Sequence, residues 1–411
     1  MVPSGRQEIS LNTSSTTVLI IIKSIQRTGL WSVDNGYKVT LAKLFATCFI
    51  LANVTQVISL AIARDNPEKM FECFSVLSFC GIGVLKYVSL YRNSAAWQYI
   101  LSRTSELESE QINKKNDSLL EYETEDENND IVSNKDIYEN KSKFVSTLLT
   151  RIYTFTGIIF VVSPFIEFLL KNFKDMKHLN LPHILPGWSP LDDLHISGYI
   201  FTIICEVIAA AYCVSVHVAF DVIYVGLMIF SCGQFNYLWK KSERIGGSGK
   251  VCGLSRKRDE RAHYRIKQCH KSHVVLVDIL TKMNNLLRII LTVYFTVATL
   301  TLCTVAVRLK SEKLGVMQIM SLLQYMAANL MQLFLYCRYG DELLNQSSIN
   351  MGKGPFGASW WSLSPSTRRH LSLLAVGMSR RHHLSAGIYI VNLPSFVQIV
   401  KTAYSYYAVL R

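Results

Sequence analysis

Hydrophobic residues along this chain gather into long uninterrupted blocks, and polar residues fill the stretches between them. Seven blocks, at roughly 39–62, 71–91, 144–170, 198–230, 286–307, 314–337 and 385–410, are each long enough to cross about 30 Å of hydrocarbon at ~1.5 Å per residue. The pattern predicts an all-α membrane protein with seven transmembrane helices. The fourth block is over-long, so it is expected to leave the membrane as a continuous helix through Trp239. The charged stretch 256–285 is expected to lead as a helix into the fifth span. A run at 18–26, VLIIIKSIQ, is too short and too charged to span, and reads as an interfacial helix.

This reading divides the chain into four parts: an N-terminal segment (1–38), a bundle of six spans (39–337), a polar region with a short amphipathic helix at Pro365–Met378 (338–384), and a last span (385–411). Three connections are long. The first, 93–142, contains ELESEQ and YETEDENND; it is acidic, poor in apolar residues and expected to be mobile. The second, 240–285, and the third, 338–384, are basic. Alternating spans place all three on the side of the N-terminus. The basic excess then puts the N-terminus in the cytoplasm and, after seven crossings, the C-terminus outside the cell. Region 338–384 becomes a cytoplasmic helical anchor. Outside the apolar blocks, the N-x-S/T sequons, at Asn12, Asn116, Asn140 and Asn345, all fall on the side assigned to the cytoplasm.

Composition agrees: half the residues are hydrophobic and 18% are charged. The net charge of +13 lies in loops between apolar blocks, the distribution of a positive-inside membrane protein and not of a nucleic-acid binder. Most of the ten cysteines lie in or beside apolar blocks, where Cys acts as a small hydrophobe rather than a disulfide framework. The polar MVPSGRQEISLNTSSTT start is expected to carry no cleavable signal peptide.

No enzyme chemistry is expected. GGSGK at 246–250 has Arg244 and Val251 where a phosphate loop needs Gly and Ser or Thr. GIGVLK at 81–86 lacks the third glycine of a dinucleotide turn. The His263, Cys269, His270, His273 group lacks a second Cys pair, so neither a metal nor a cofactor is expected. Intramembrane polar groups remain: Lys86, Glu167, Glu206, His217 and Asp221. Glu167 and Asp221 lie close enough to span ends to snorkel. Lys86 and Glu206 lie deeper, open to either structural pairing or ligand and ion handling. A transporter would add Gly/Pro-broken spans in two related halves, which are not seen. A G-protein-coupled receptor would add an acidic-Arg-Tyr triplet after the third span and Asn-Pro-x-x-Tyr in the seventh. Both are missing.

The last third, from about Leu330, reads LFLYCRYGDELLNQS, then ASWWSLSPSTRRHLSLLAVGMSRRHHLSAGIYIVNLPSFVQIVKTAYSYYAVLR. It resembles the insect odorant receptor family, of the ligand-selective tuning kind. The resemblance rests on Tyr336, Cys337, Gly340, Ser347, Trp360, Arg380, Arg381, Phe396, Lys401, Tyr404, Ser405, Tyr406 and Leu410. It departs from the family at His383-Leu384, where a Pro-Leu is common. Related gustatory receptors, the alternative reading, close on a Thr-Tyr…Gln-Phe pattern that is missing here. The shared co-receptor is longer and extends past the residue aligned with Leu410, so this chain is expected to be a tuning subunit.

The resemblance implies a tetrameric, odorant-gated, non-selective cation channel assembled with odorant co-receptor subunits, multi-pass in the plasma membrane of a sensory neuron dendrite. It implies a pore lined by the last span, where Gln398, Thr402, Ser405 and Val409 share one stripe on a 3.6-residue repeat. The other reading of that stripe is helix–helix glue. It also implies a pocket for a small volatile hydrophobic odorant between spans two, three, four and six. By depth the candidates are Phe79, Ile82, Thr154, Gly157, Val161, Ile208, Tyr212, Met320 and Gln324, each equally open to a packing role. In the anchor, the Leu371, Leu374, Ala375 face is expected to dock a partner subunit.

Overall fold

The apolar blocks fold as helices in the computed structural model, which describes residues 16–31, 36–113, 125–172, 182–187, 196–247, 255–311 and 315–410. In chain order these are α1 (Thr16–Arg27), α2 (Gly36–Ile62), α3 (Pro67–Arg92), α4 (Ser94–Asn113), α5 (Glu125–Asn172), α6 (Ile196–Glu243), α7 (Arg256–Ser311) and α8 (Val316–Asn345). A π turn at Gln346–Asn350 follows, then α9 (Lys353–Gly357), α10 (Pro365–Met378), a two-residue hairpin of β1 (Ser385–Ala386) and β2 (Tyr389–Ile390), and α11 (Leu393–Leu410). The hairpin pairs Ser385 with Ile390 and Ala386 with Tyr389, antiparallel.

Six of these helices (α2, α3, α5, α6, α7 and α8) are long and apolar enough to cross a membrane. The eighteen residues of α11 reach about 27 Å, enough for a seventh crossing, although its polar side chains keep it out of that set. The helix α6 lies at the centre of the fold, touching α1, α2, α3, α5, α7 and α8. From Val216 to Cys232 every residue of it is buried. The run is apolar on all sides because it has protein on all sides.

Several expectations are corrected. Connection 93–142 is largely helix: α4 and the start of α5 flank residues 114–124, which lie outside the described residues. Trp97, Ile100, Leu101 and Leu107 are buried, a helical stripe that runs through SAAWQYILSRTS into ELESEQ. The run at 18–26 does form a helix, and its Val18, Ile21 and Ile25 pack into the bundle against α6. The sixth block continues as helix to Asn345. The seventh begins at Leu393, because 385–390 form the hairpin and Pro394 suits only a first turn. The extensions predicted through Trp239 and from 256 are present, as is the helix at Pro365–Met378. Its N-cap, Ser364, accepts from the Thr367 N–H ahead of Pro365. Residues 248–250 of GGSGK lie outside the described residues.

Candidate functional site

Asp221 of α6 is fully buried and does not snorkel. Its carboxylate accepts four donors from three other helices: Lys86 Nζ of α3 at 2.5 Å, Gln332 Nε2 of α8 at 3.0 Å, and the hydroxyls of Tyr153 (α5) and Tyr336 (α8). Lys86 is sealed as tightly. It donates a second hydrogen bond to His217 Nδ1, 3.0 Å away, and lies over the rings of Phe220, Tyr294 and Tyr336 at 5.3, 6.0 and 6.0 Å. A charge in hydrocarbon is tolerated only with such partners, and here each ion supplies the other's.

The neighbours of His217 fix its tautomer. Nδ1 accepts from the ammonium, so Nε2 carries the proton and donates to the carbonyl oxygen of Phe79 at 3.1 Å. The imidazole also stacks on the Phe79 ring, centroids 4.1 Å apart and 10° from parallel. Gly83 permits the approach: a Cβ there would lie 3.1 Å from Cys213 Sγ, His217 Nε2 and Phe49 Cζ. Phe79, a candidate lining residue, is thereby tied by ring and backbone to the buried ion pair.

Of the other candidates, Val161 and Tyr212 join Phe79 in an apolar cluster with Phe49, Cys80, Val216, Ile184 and Leu185, between α2, α3, α5 and α6. Ile82 is buried in the main core with Phe79 against it, and Ile208 is half-buried on α6. Gln324 is turned inward, donating to Thr156 Oγ1 of α5 at 3.2 Å. Thr154 and Met320 are exposed, so the structure does not bring them into the cluster. Gly157 faces α6, where a Cβ would come within 3.1 Å of Val214 Cγ2; the space there belongs to the helix crossing. Sequence reasoning missed Tyr153, Gln332, Tyr336 and Tyr325, the last edge-on to Phe79 at 6.1 Å. The i, i+4 spacing of His217–Asp221 and of Gln332–Tyr336 was the available signal.

Glu206 holds one end of the cluster closed. Its carboxylate accepts the backbone N–H of Ile184 (2.9 Å) and Leu185 (3.3 Å) and lies 3.2 Å from His183 Nδ1. This clamps segment 182–187 over α2 and α3, with Gly187 against Thr55 and the Pro186 carbonyl near Cys73 Sγ. Glu206 is thus structurally paired.

One face of α11, with Ile399 and Ala403 buried, packs on α7 and α8. Gln398, Ser405 and Val409 are exposed and Thr402 half-exposed. In the anchor, Leu371, Leu374 and Ala375 are buried against the chain's own α7 and α9, which corrects their assignment to a partner. The exposed apolar residues of α10 are Leu373 and Val376. At the junction with α11, a Cβ on Gly340 of α8 would sit 2.3 Å from the Val391 carbonyl oxygen.

Comparison with known proteins gives concordant matches. The family described as 7tm Odorant receptor matches residues 66–404. Odorant receptor 82a of Drosophila melanogaster is 22% identical over 384 residues, covering 90% of this chain and 92% of the relative. Odorant receptor 9a of the same organism is 23% identical over 278 residues, covering 66% of this chain and 67% of the relative. Among solved structures, the fold is similar to that of the insect olfactory receptor OR5 from Machilis hrabei in complex with eugenol. That match has a TM-score of 0.76 at 16% identity and covers 96% of this chain and 97% of that one. The same receptor without eugenol matches at a TM-score of 0.75.

Proposed function

From the premise that this chain belongs to the 7tm odorant receptor family, and is an insect odorant receptor and not an enzyme, we propose that it is the ligand-selective subunit of an odorant-gated cation channel. Its partners in this reading are odorant co-receptor subunits in a heterotetramer. The assembly resides in the plasma membrane of a sensory neuron dendrite, with the N-terminus cytoplasmic and the C-terminus outside.

The observation that carries the reading is the uncovered face of α11. A membrane helix with the Gln398 amide on its free side is poorly matched to lipid tails, which satisfy no hydrogen bond, whereas the Thr402 and Ser405 hydroxyls on that side bond back to the carbonyls of Gln398 and Lys401. Subunits arranged around an axis would turn that face to water, and Val409 toward the far end would narrow the path with an apolar side chain. The cluster of Phe79, Val161 and Tyr212, with Ile82, Ile208 and Gln324 around it, supports a mostly apolar binding site, with Gly157 at the helix crossing beside it. The structurally similar receptor OR5 from Machilis hrabei is in complex with eugenol, a small aromatic phenol. Thr154 and Met320 stay outside this site.

Co-expression with the co-receptor tests the proposal. Volatile panels should evoke currents in excised patches without nucleotide. A response that vanishes without G protein would make the receptor metabotropic, and uptake of substrate without unitary conductance would make it a transporter.

A further inference from the structure

The inward stripe of α2 changes character along its length. Ala46 and Phe49 are apolar; Asn53 and Gln56, one and two turns nearer the outer end, are amides and equally buried. Asn53 Nδ2 donates to the Phe49 carbonyl at 2.8 Å, while its Oδ1 is sealed from solvent with no partner. Gln56 Nε2 reaches only Cys80 Sγ, at 3.8 Å, and its Oε1 is also without a partner. Two carbonyl oxygens on adjacent turns of one face are therefore buried and unsatisfied, where buried polar groups are ordinarily paired.

Neither amide is needed to hold the fold together. Asn53 bonds only to its own helix, and the contact from Gln56 to α3 is a single weak one. Both lie beside the apolar cluster that holds Phe79, Val161 and Tyr212: Gln56 through Cys80, and Asn53 through Phe49, whose ring lies 6.1 Å from that of Tyr212.

We infer that Asn53 and Gln56 form a polar head-group subsite that recognises the hydroxyl of an alcohol or phenol odorant whose apolar body lies in that cluster. The inference rests on the odorant-receptor reading above and adds the chemical class of the ligand. Because Asn53 Nδ2 faces a carbonyl, its amide orientation is fixed and Oδ1 must accept; only a donor satisfies it. Gln56 faces a thiol and can turn either end of its amide inward, accepting or donating. A hydroxyl matches that pair, because it gives one hydrogen bond and takes another. Esters, ethers, ketones and aldehydes offer acceptors alone and would leave Asn53 Oδ1 facing a lone pair.

The test uses the full chain co-expressed with its co-receptor and a panel of aliphatic and aromatic alcohols, each matched to its methyl ether and acetate. Alcohols should activate the wild type at about tenfold lower concentration than their ethers, the ratio set by one well-made hydrogen bond. Asn53→Leu and Gln56→Leu should collapse that ratio towards one. Their ether responses serve as the control for folding and surface delivery, and leucine suits a buried site in the bilayer. Equal potency of alcohols and ethers in the wild type, or a ratio unchanged in both variants, would overturn the subsite. So would an equal loss for every ligand, which would mark the amides as holding a structural water only. Silence to the entire panel from a surface-expressed complex would instead sink the odorant-receptor reading itself.

Discussion

Lys86 and Asp221, 135 positions apart in the sequence, form an ion pair closed to solvent, Nζ to Oδ1 2.5 Å, that ties α3 to α6. Removing either partner strands a charge among aromatic rings and apolar helices. Asp221→Ala and Lys86→Met should each destabilise the fold by ~3–5 kcal/mol, whereas Lys86→Met with Asp221→Leu should recover much of the loss. Thermal unfolding of the detergent-solubilised protein measures all three, and a double variant as unstable as the singles would show that the charges do not act as a pair.

Close backbone contact joins α8 to the start of α11. Gly340→Ala would drive a methyl into the Val391 carbonyl oxygen, so α11 must shift at its root. Surface delivery or odorant-evoked current should fall. Gly377→Ala, in the exposed last turn of α10 with nothing within 4 Å, should be neutral or stabilising by up to ~1 kcal/mol. Equal effects of the two would argue that the Gly340 contact is unimportant.

The two faces of α10 should separate folding from assembly. Leu371→Asp with Leu374→Asp places charges against the chain's own α7 and should abolish folded protein. Leu373→Asp with Val376→Asp alters only exposed positions. It should leave the melting temperature within a few degrees and reduce co-purification with the co-receptor. Intact complexes with the second pair would move the interface elsewhere.

Permeation and selectivity should divide between α11 and the apolar cluster between α2, α3, α5 and α6. Val409→Ala should raise ligand-free current by widening an apolar constriction, and Gln398→Glu should favour divalent cations. Neither should reorder odorant potencies. Gly157→Leu would meet Val214 at the α5–α6 crossing, so it should lower responses to all odorants together instead of reshaping a pocket. If α11 variants change odorant ranking and leave permeation alone, that helix lines the binding site.

His273 of α7 and His382 of the linker to α11 face each other, ring centroids 5.9 Å apart, with Phe235 at the other edge of His273. Burial first, then the His382 and His270 charges, pushes His273 down to about 4, and His382 is lowered by burial and by His383 and Arg380. The unfolded chain therefore binds more protons than the folded one between the ordinary histidine range and pH 4. Stability is full above pH ~6.5 and falls as the pH drops toward 4. His273→Phe should flatten that part of the curve; an unchanged acid limb would place the sensitivity in other groups.

The membrane helices could be read from the sequence because hydrocarbon demands long apolar runs, and their polar extensions because the helical period persists after the run ends. Trp97, Ile100, Leu101 and Leu107 escaped notice because the stripe is short, set among polar residues and too brief to span, so that only periodicity shows it. Polar centres were harder to read. Lys86 stood out as a lone charge, but its partner looked like a snorkelling end residue, and the tyrosines around it are unremarkable until four helices converge. Leu371 and Leu374 looked free for a partner because sequence does not reveal which apolar face the chain has already covered.

The helices α5, α6 and α7 run unbroken for 48, 48 and 56 residues as rods of about 70–85 Å, and α6 alone links the apolar cluster at one end to α9, beside α10, at the other. Such rods behave as levers. A change of only ~3° in tilt about a point near one end displaces the other end by about 4 Å, close to the radius of a water-filled passage for a hydrated ion. An occupant the size of a few carbon atoms therefore need not remodel anything to be felt tens of ångströms away; the leverage is built into the length of the helices.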